Sequence, residues 1–265
     1  MKSLLTTTTT LLLAIAITGS CTKEDSTPEP ASPPEAAEMT SAPKPAAKVA
    51  SQPSVQPSAR REAPTKKTER GFAIHTRASA DAKTDASFQF YEDTIKFVPN
   101  LGGVMAESPV LMNSYLALQQ NLQDYGALTP PENNIVQMSI AMENECQYCV
   151  AGHTLAGKIF FKSPDEQLEA LRKKAALSEP KLNALRDFGL QVYASKGRIR
   201  DKELKNFLDA GYSREQALDV VANIAAKVMS NYTNQLARTP LDPQTADFAT
   251  GLPFAEERQT LSIPN

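Results

Sequence analysis

Apolar residues recur with helical spacing through most of the chain after residue 86. Two stretches show four such residues at i, i+4, i+7 and i+11: Leu111, Tyr115, Leu118 and Leu122, and then Ala217, Val221, Ile224 and Val228. This spacing places each set on one face of an α-helix, and no stretch shows the sustained alternation and hairpin turns of β-strands. The pattern predicts an all-α fold, a single domain of about seven helices over residues 86–245 with one buried core.

Residues that begin helices lie between the apolar stripes. Thr129 precedes Pro-Pro-Glu, so it can cap a helix whose first position is a proline, where the missing N–H costs nothing. Residues 163–166 (Ser-Pro-Asp-Glu) and 213–216 (Ser-Arg-Glu-Gln) have the pattern of a capping box. We interpret Asn-Leu-Gly-Gly at 100–103 as a break between helices, and residues 246–265 as a C-terminal tail. We identify no chemistry in the segment after Pro240.

The first 20 residues have the pattern of a secretory signal peptide. A basic start precedes an apolar stretch, strongest from Leu11 to Ile17, which is shorter than the roughly 20 residues that span a bilayer. It ends at Thr18-Gly-Ser-Cys21, which resembles a bacterial lipobox, with Thr18 where leucine is usual. We expect an exported protein, lipid-anchored through Cys21 in the bacterial cell envelope on the periplasmic or outer-membrane side. Ordinary signal cleavage with an unmodified Cys21 is the alternative.

Residues 21–85 are rich in Pro, Ala, Ser, Thr and Lys, and nine of the 19 prolines of the chain lie between Pro28 and Pro64. Such a segment has too few apolar residues to offset its ordering entropy, so we predict a disordered linker. Its histidine, His75, has no predicted role.

Composition narrows the possible chemistry. A formal net charge of −2 gives no reason to expect a nucleic-acid partner. Three cysteines and two histidines are too few for a disulfide-stapled scaffold or for a zinc site built from Cys and His. We therefore expect no metal and no cofactor.

The candidate chemistry lies in Cys146-Gln-Tyr-Cys149, with His153 four residues further on. If a helix begins near Cys146, the three side chains share one face, and the helix N-terminus favours thiolate over thiol. His153 lies one turn beyond Cys149 and can exchange a proton with it. This arrangement suits a thiol that attacks a peroxide or a disulfide, with the other cysteine resolving the product.

Other interpretations of the dithiol are weaker. A structural disulfide across so small a loop stabilises the fold by only roughly 2 kcal/mol in the loop-entropy model. A zinc site lacks a fourth ligand, and c-type haem attachment requires His directly after the second Cys, where Val150 stands. A thioredoxin-like fold would place the motif after a strand.

The segment 143–153, Glu-Asn-Glu-Cys-Gln-Tyr-Cys-Val-Ala-Gly-His, resembles the signature of the carboxymuconolactone decarboxylase superfamily in its alkylhydroperoxidase-D-like branch. Further similarity covers residues 86–245, including Phe-Val-Pro-Asn-Leu at 97–101 and Ser-Asn-Tyr-Thr-Asn-Gln-Leu at 230–236. The resemblance implies an all-α homo-oligomer, trimeric or larger. It also implies that Cys149 is the peroxidatic nucleophile, Cys146 its disulfide partner and His153 the proton shuttle. The substrate would be a hydroperoxide or a disulfide, with an unidentified thiol reductant.

Two positions depart from the family pattern. The relay glutamate expected twelve residues before the first cysteine is Asn134, and Gln235 follows Asn234 where histidine is common. Asn134 can orient His153 by a hydrogen bond but cannot accept its proton, and Glu143 or Glu145 is the candidate substitute for the missing glutamate. Two alternatives therefore stand beside the peroxidase: a helical oligomeric binding module with a vestigial dithiol, and decarboxylase-like chemistry on a small organic acid with His153 as base.

Overall fold

A computed structural model describes residues 62–254, and the part of the chain that it describes is helical, with one two-stranded ladder. The elements are β1 (Lys66–Lys67), β2 (Ala73–Ile74), α1 (Asp85–Thr94), α2 (Asn100–Met105), α3 (Pro109–Asp124), α4 (Pro130–Glu143), α5 (Gln147–Ile159), α6 (Asp165–Arg172), α7 (Pro180–Ser195), α8 (Asp201–Asp209) and α9 (Arg214–Ala237). The all-α prediction is confirmed. The nine helices of the described range exceed the expected seven because short helices such as α2 and α8 carry no long apolar stripe.

The segment 100–103, which we expected to interrupt the helices, is the start of α2. Its glycines let α2 approach its neighbours closely. A Cβ at Gly102 would lie 2.6 Å from a ring carbon of Tyr91, and one at Gly103 would lie 2.8 Å from the carbonyl oxygen of His75. The glycines therefore serve packing here rather than helix termination.

Two of the three predicted helix caps form as expected. The hydroxyl groups of Thr129 and Ser213 accept N–H bonds at the starts of α4 and α9, and each belongs to a complete capping box. The predicted box at Ser163 is wrong, because Pro164 is the N-cap of α6 and no side chain caps that helix. The backbone N–H of Ser163 instead donates to Gly157 at the end of α5, at 2.9 Å, which leaves its hydroxyl outside the capping position.

Helix α4 runs through the centre of the domain, packed against α5, α7 and α9. It is buried on every side from Glu132 to Met142, and Met138 and Met142 are fully buried. A helix buried on all sides provides a fixed support for the helices that contact it. The α5 and α9 side chains described below are held against this support.

Helix α9 turns a different face inward from the one that its apolar residues predicted. Val221, part of the predicted stripe, is 50% exposed. The buried positions are largely polar: Val220, Asn223, Ala226, Lys227, Ser230, Asn231, Asn234 and Ala237. The predicted stripe lies beside the buried face: Val221 is exposed, whereas Ala217 and Ile224 are half-buried against the core around Phe188.

Residues 62–84 lie inside the stretch that we expected to be linker, yet they fold onto the helical domain. Strands β1 and β2 pair antiparallel, and β2 is buried against α2. The backbone N–H of Ala73 donates to Glu107 Oε2 at 2.7 Å, and that of His75 donates to the Gly103 carbonyl at 3.0 Å. Backbone hydrogen bonds, a few buried apolar side chains such as Ile74 and Ala80, and the Arg77–Glu92 ion pair hold this segment, so composition gave no sign of it. The predicted signal peptide, the lipid site at Cys21 and the linker up to residue 61 lie outside the described residues.

The C-terminal boundary also lies further along than residue 245. Residues 246–249 form a 3₁₀ turn, and Leu252 and Phe254 are buried in the same apolar cluster as Cys146 and Cys149. Arg172 donates to the carbonyl of Phe248 at 2.6 Å. The described domain therefore continues to Phe254, and residues 255–265 of the expected tail lie outside the description. Within residues 62–254, no helix has the length and apolar character needed to cross a membrane.

Candidate active site

The two cysteines lie at the beginning of α5. Cys146 is its N-cap residue, Cys149 lies in its first turn, and the two form a disulfide with Cα atoms 5.3 Å apart. Glu145, with φ of 52°, turns the chain out of α4, and the N–H of Cys146 donates to the Ala141 carbonyl at 2.9 Å. The first N–H groups of a helix have no intrahelical partner, so this position stabilises a thiolate.

Cys149 opens into a cavity of about 540 Å³ whose lining is mainly apolar, whereas Cys146 does not line it. Both residues are buried, at 5% and 1% exposure. The apolar lining includes Ile95, Phe97, Leu101, Ile159 and Phe160. A reactant in this cavity therefore meets Cys149 before Cys146.

His153 lines the same cavity and is hydrogen-bonded through both ring nitrogens. Its Nδ1 lies 2.8 Å from Asn134 Oδ1, and its Nε2 lies 2.7 Å from Lys227 Nζ. The Asn134 amide also donates to the His153 carbonyl, at 3.3 Å, which directs Oδ1 toward the ring. Because Oδ1 can only accept, Nδ1 carries the hydrogen and Nε2 is the acceptor for Lys227. Burial, and secondarily the Lys227 cation, hold the pKa of His153 well below its usual value.

The amine that contacts His153 belongs to Lys227, a residue that the sequence pattern did not single out. Its side chain is 2% exposed, and burial lowers its pKa to about 7. Among the described residues, no carboxylate lies within 4 Å of either Lys227 or His153. The available signal was spacing: Lys227 lies seven residues before Asn234, so the two share a helix face.

Asn234 contacts the dithiol directly. Its Nδ2 lies 3.2 Å from Cys149 Sγ and 3.9 Å from Cys146 Sγ. Its Oδ1 is buried and has no hydrogen-bond partner in the described chain, so it can accept a thiol S–H. Gln235, at the position where histidine is common in the family, is directed away from the sulfurs and donates to the Asn144 carbonyl.

The segment after Pro240, in which we expected no chemistry, contributes a buried carboxylate to the cavity. Asp242 accepts the Tyr148 hydroxyl and, at 2.8 Å, the backbone N–H of Asn100. The Tyr148 oxygen in turn accepts the N–H of Leu101 at 3.1 Å. Burial raises the pKa of Asp242, and burial together with the Asp242 charge raises that of Tyr148. Tyr148 thus links the dithiol turn to α2 and to the C-terminal segment.

Glu143 and Glu145, the candidate substitutes for the relay glutamate, do not contact the dithiol or His153. Glu143 pairs with Lys174 at 3.4 Å on the surface, and Glu145 is exposed. Glu132 is used in the α4 capping box. Asn134, Lys227 and Asn234 therefore surround the dithiol and His153 in place of a carboxylate relay. In the described range, no group of three or more His, Cys, Asp or Glu residues is placed to hold a metal ion.

Residues 109–188 match the family model of the carboxymuconolactone decarboxylase family. This segment runs from α3 into α7 and includes the dithiol and His153. The match agrees with the resemblance inferred from the motif around Cys146 and Cys149. No protein of curated function matches the chain.

Solved structures share the fold. The alkylhydroperoxidase AhpD core, an uncharacterized peroxidase-related protein from Ralstonia eutropha JMP134, is 22% identical with a TM-score of 0.57 over 67% of this chain and 93% of its own. An uncharacterized peroxidase-related protein from Silicibacter sp. TM1040 is 16% identical with a TM-score of 0.57, over 71% and 97%. The debrominase Bmp8 is 16% identical with a TM-score of 0.53, over 63% and 90%. The resemblance to the alkylhydroperoxidase-D-like branch is confirmed, with these likenesses showing the fold.

Proposed function

We propose that the protein is a thiol-dependent peroxidase or thiol–disulfide oxidoreductase that uses Cys149 as nucleophile and Cys146 as resolving residue. One observation carries this proposal: of the two cysteines, Cys149 faces the cavity, at a helix N-terminus that favours its thiolate, with His153 lining the same space. A merely structural disulfide would need neither the cavity nor the imidazole.

The proposed reaction balances with a dithiol alone. The Cys149 thiolate attacks the outer oxygen of a hydroperoxide, the O–O bond breaks, and the alkoxide leaves as an alcohol after taking one proton. The resulting Cys149 sulfenic acid is attacked by Cys146, which forms the disulfide and releases water. An external thiol then returns two electrons and two protons to the pair.

The size and lining of the cavity favour an organic substrate. About 540 Å³ with a mostly apolar wall is within the range of small-molecule sites and far exceeds the needs of hydrogen peroxide. We therefore expect organic hydroperoxides to be reduced with a lower KM than hydrogen peroxide.

The test uses the full chain with Cys21→Ser, so that Cys146 and Cys149 are its only thiols. Consumption of cumene hydroperoxide is followed with dithiothreitol as reductant. We expect Cys149→Ser to reduce turnover to the uncatalysed background. Cys146→Ser should still form one sulfenic acid per chain, which dimedone traps and mass spectrometry locates at Cys149. The Cys21→Ser parent serves as the control and keeps full turnover.

Turnover that persists in Cys149→Ser would overturn the assignment of the nucleophile. Neither alternative from the sequence predicts hydroperoxide consumption by the parent, and turnover of a small organic acid separates the two. A binding module would show no hydroperoxide consumption in the parent, and decarboxylase-like chemistry would depend on His153 but survive loss of both thiols.

A further inference from the structure

The buried lysine beside His153 has no role in the reaction as written so far. We propose that Lys227 and His153 act as one proton-relay pair, in which Lys227 holds as a cation the proton that leaves the Cys149 thiol. This inference deepens the proposed function and rests on it. The hydrogen bond to His153 positions the Lys227 amine, which takes up the thiol proton and does not attack the substrate.

The packing of α5 against α9 places this pair beside the dithiol. Cys149 contacts Asn234 at 3.2 Å, and His153, one turn further along α5, contacts Lys227 at 2.7 Å. The second contact lies two turns back along α9, about 10 Å of helix rise before the first. Two contacts in opposite chain order fix the register of the helices, so that Lys227 and Cys149 line one cavity.

The surroundings of Lys227 explain why its charge matters. Besides Lys227 and His153, five titratable groups line the cavity: Tyr91 from α1, Tyr115 from α3, Tyr148 and Cys149 from α5, and Asp242 from the C-terminal segment. Asp242, the carboxylate among them, is already used by Tyr148 and the Asn100 N–H. Asn134, the remaining polar contact of His153, cannot accept a proton. The reaction proton therefore has an amine and an imidazole to reside on.

The proton balance is closed by the pair. In the uncharged pair, a Lys227 N–H donates to His153 Nε2, while His153 Nδ1–H donates to Asn134. The proton of the Cys149 thiol passes, across the cavity that both residues line, to the free lone pair of Lys227 Nζ, giving a lysine ammonium and a thiolate, each stabilised by the other's charge. When the O–O bond breaks, the same proton passes to the leaving alkoxide, and the pair returns to its uncharged state.

The burial of a lysine without a carboxylate partner in the described chain argues against a purely structural role. An apolar side chain of similar length would pack there without the desolvation penalty of an ammonium group. The pKa of about 7 for Lys227 also matches a group that must take up and release a proton near neutral pH.

The experiment measures the thiol and the imidazole rather than turnover. The full chain is reduced, and the rate of Cys149 alkylation by iodoacetamide is followed against pH by peptide mass spectrometry. We expect Lys227→Met to move the alkylation midpoint up by about one pH unit, which lowers the rate about tenfold below the midpoint. Lys227→Arg, which keeps the charge, should restore most of the thiolate. Lys158→Met, at a lysine that pairs with Asp165 near the other end of α5, is the matched control and should leave the profile unchanged.

A second readout does not depend on the Met variant folding. In the wild-type protein, the NMR signal of the His153 ring should respond to pH near 7 as Lys227 titrates, without the full shift of imidazolium formation. His75 provides the internal reference, as the other histidine of the chain. An unchanged alkylation profile in Lys227→Met, or a His153 signal that ignores pH near 7, would overturn the proposal. If wild-type protein reduces no hydroperoxide while Lys227→Met still shifts the profile, the proposed function fails and the Lys227 pairing stands.

Discussion

At the scale of single residues, the site is built from uncharged amides around one amine. Asn134 accepts a hydrogen bond from the imidazole, and Asn234 contacts both sulfurs. The amine is that of Lys227, which contacts the other ring nitrogen of His153. Amide side chains keep one charge state at every pH, so among these contacting groups only the dithiol, His153 and Lys227 can titrate. The protonation of Lys227 should therefore affect the pH dependence of the free energy of unfolding.

The first prediction is that Lys227→Met stabilises the oxidised protein at neutral pH. The pKa of Lys227 is lowered from 10.5 to about 7, so between these values the unfolded chain binds one more proton than the folded chain. The free energy of unfolding of the wild type therefore rises with pH in this window, by at most about 1.4 kcal/mol per pH unit. Met has no such term, so the advantage of the variant should shrink from pH 7 to pH 9, as measured by urea unfolding.

The pH window separates Lys227 from its neighbours. The pKa of His153 lies well below its usual value of 6.5, so His153 changes the free energy of unfolding only below about pH 6.5. The raised pKa values of Tyr91 and Tyr148 affect stability only above about pH 10. Lys158→Met should show the wild-type slope. A stability difference between wild type and Lys227→Met that stays constant from pH 7 to pH 9 would contradict the assigned pKa.

At the scale of helices, two serines with the same capping-box pattern differ in whether their hydroxyl caps the helix. Ser213 Oγ accepts the Gln216 N–H at 3.1 Å, whereas the Ser163 hydroxyl is buried and has no partner in the described chain. We expect Ser213→Ala to lower the free energy of unfolding by about 1 kcal/mol. Ser163→Ala, the same chemical change, should be neutral or slightly stabilising because it removes an unsatisfied buried group.

Thermal or urea unfolding of the two variants under identical conditions provides the comparison. Equal losses in both would show that Ser163 caps α6 after all, or that the Ser213 bond contributes nothing. Since neither serine contacts the dithiol, both variants should keep the Cys149 alkylation profile of the wild type.

The same elements show how far the sequence could be interpreted. Helix α5 was predictable with its three reactive residues, because a motif, a helix start and a spacing all pointed to one place. Helix α9 was predictable as a helix but not in its orientation. Counting apolar residues assumes that the apolar face of a helix is the buried one. The buried face of α9 is largely polar instead, because it carries the side chains that contact the dithiol and His153. Lys227 was overlooked for that reason, and Asp242 because it follows the last helix, where no periodic signal exists.

At the scale of the whole molecule, α9 leaves an apolar stripe on the surface. Leu218, Val221, Tyr232 and Leu236 are each at least half exposed. At 3.6 residues per turn they lie within an arc of roughly 60°, on the side of the helix opposite Lys227 and Asn234. Exposed apolar residues that share one side of a helix mark an interaction surface more often than scattered apolar residues do. We propose that it is the contact between copies in the homo-oligomer implied by the family resemblance.

The last prediction tests this surface and its connection to the site. Leu218→Glu combined with Leu236→Glu places charges at both ends of the stripe, and we expect sedimentation velocity to show smaller species than the wild type at the same concentration. Val110→Glu, at an exposed apolar residue on α3, is the matched control and should leave the oligomer intact. Because the opposite face of α9 carries Lys227 and Asn234, a looser α9 should also weaken their contacts with α5. The double variant should therefore alkylate more slowly at Cys149 below the thiol midpoint. Wild-type protein that sediments as a monomer at all concentrations would remove the stripe as an assembly surface and leave the α5–α9 contacts to hold the site alone.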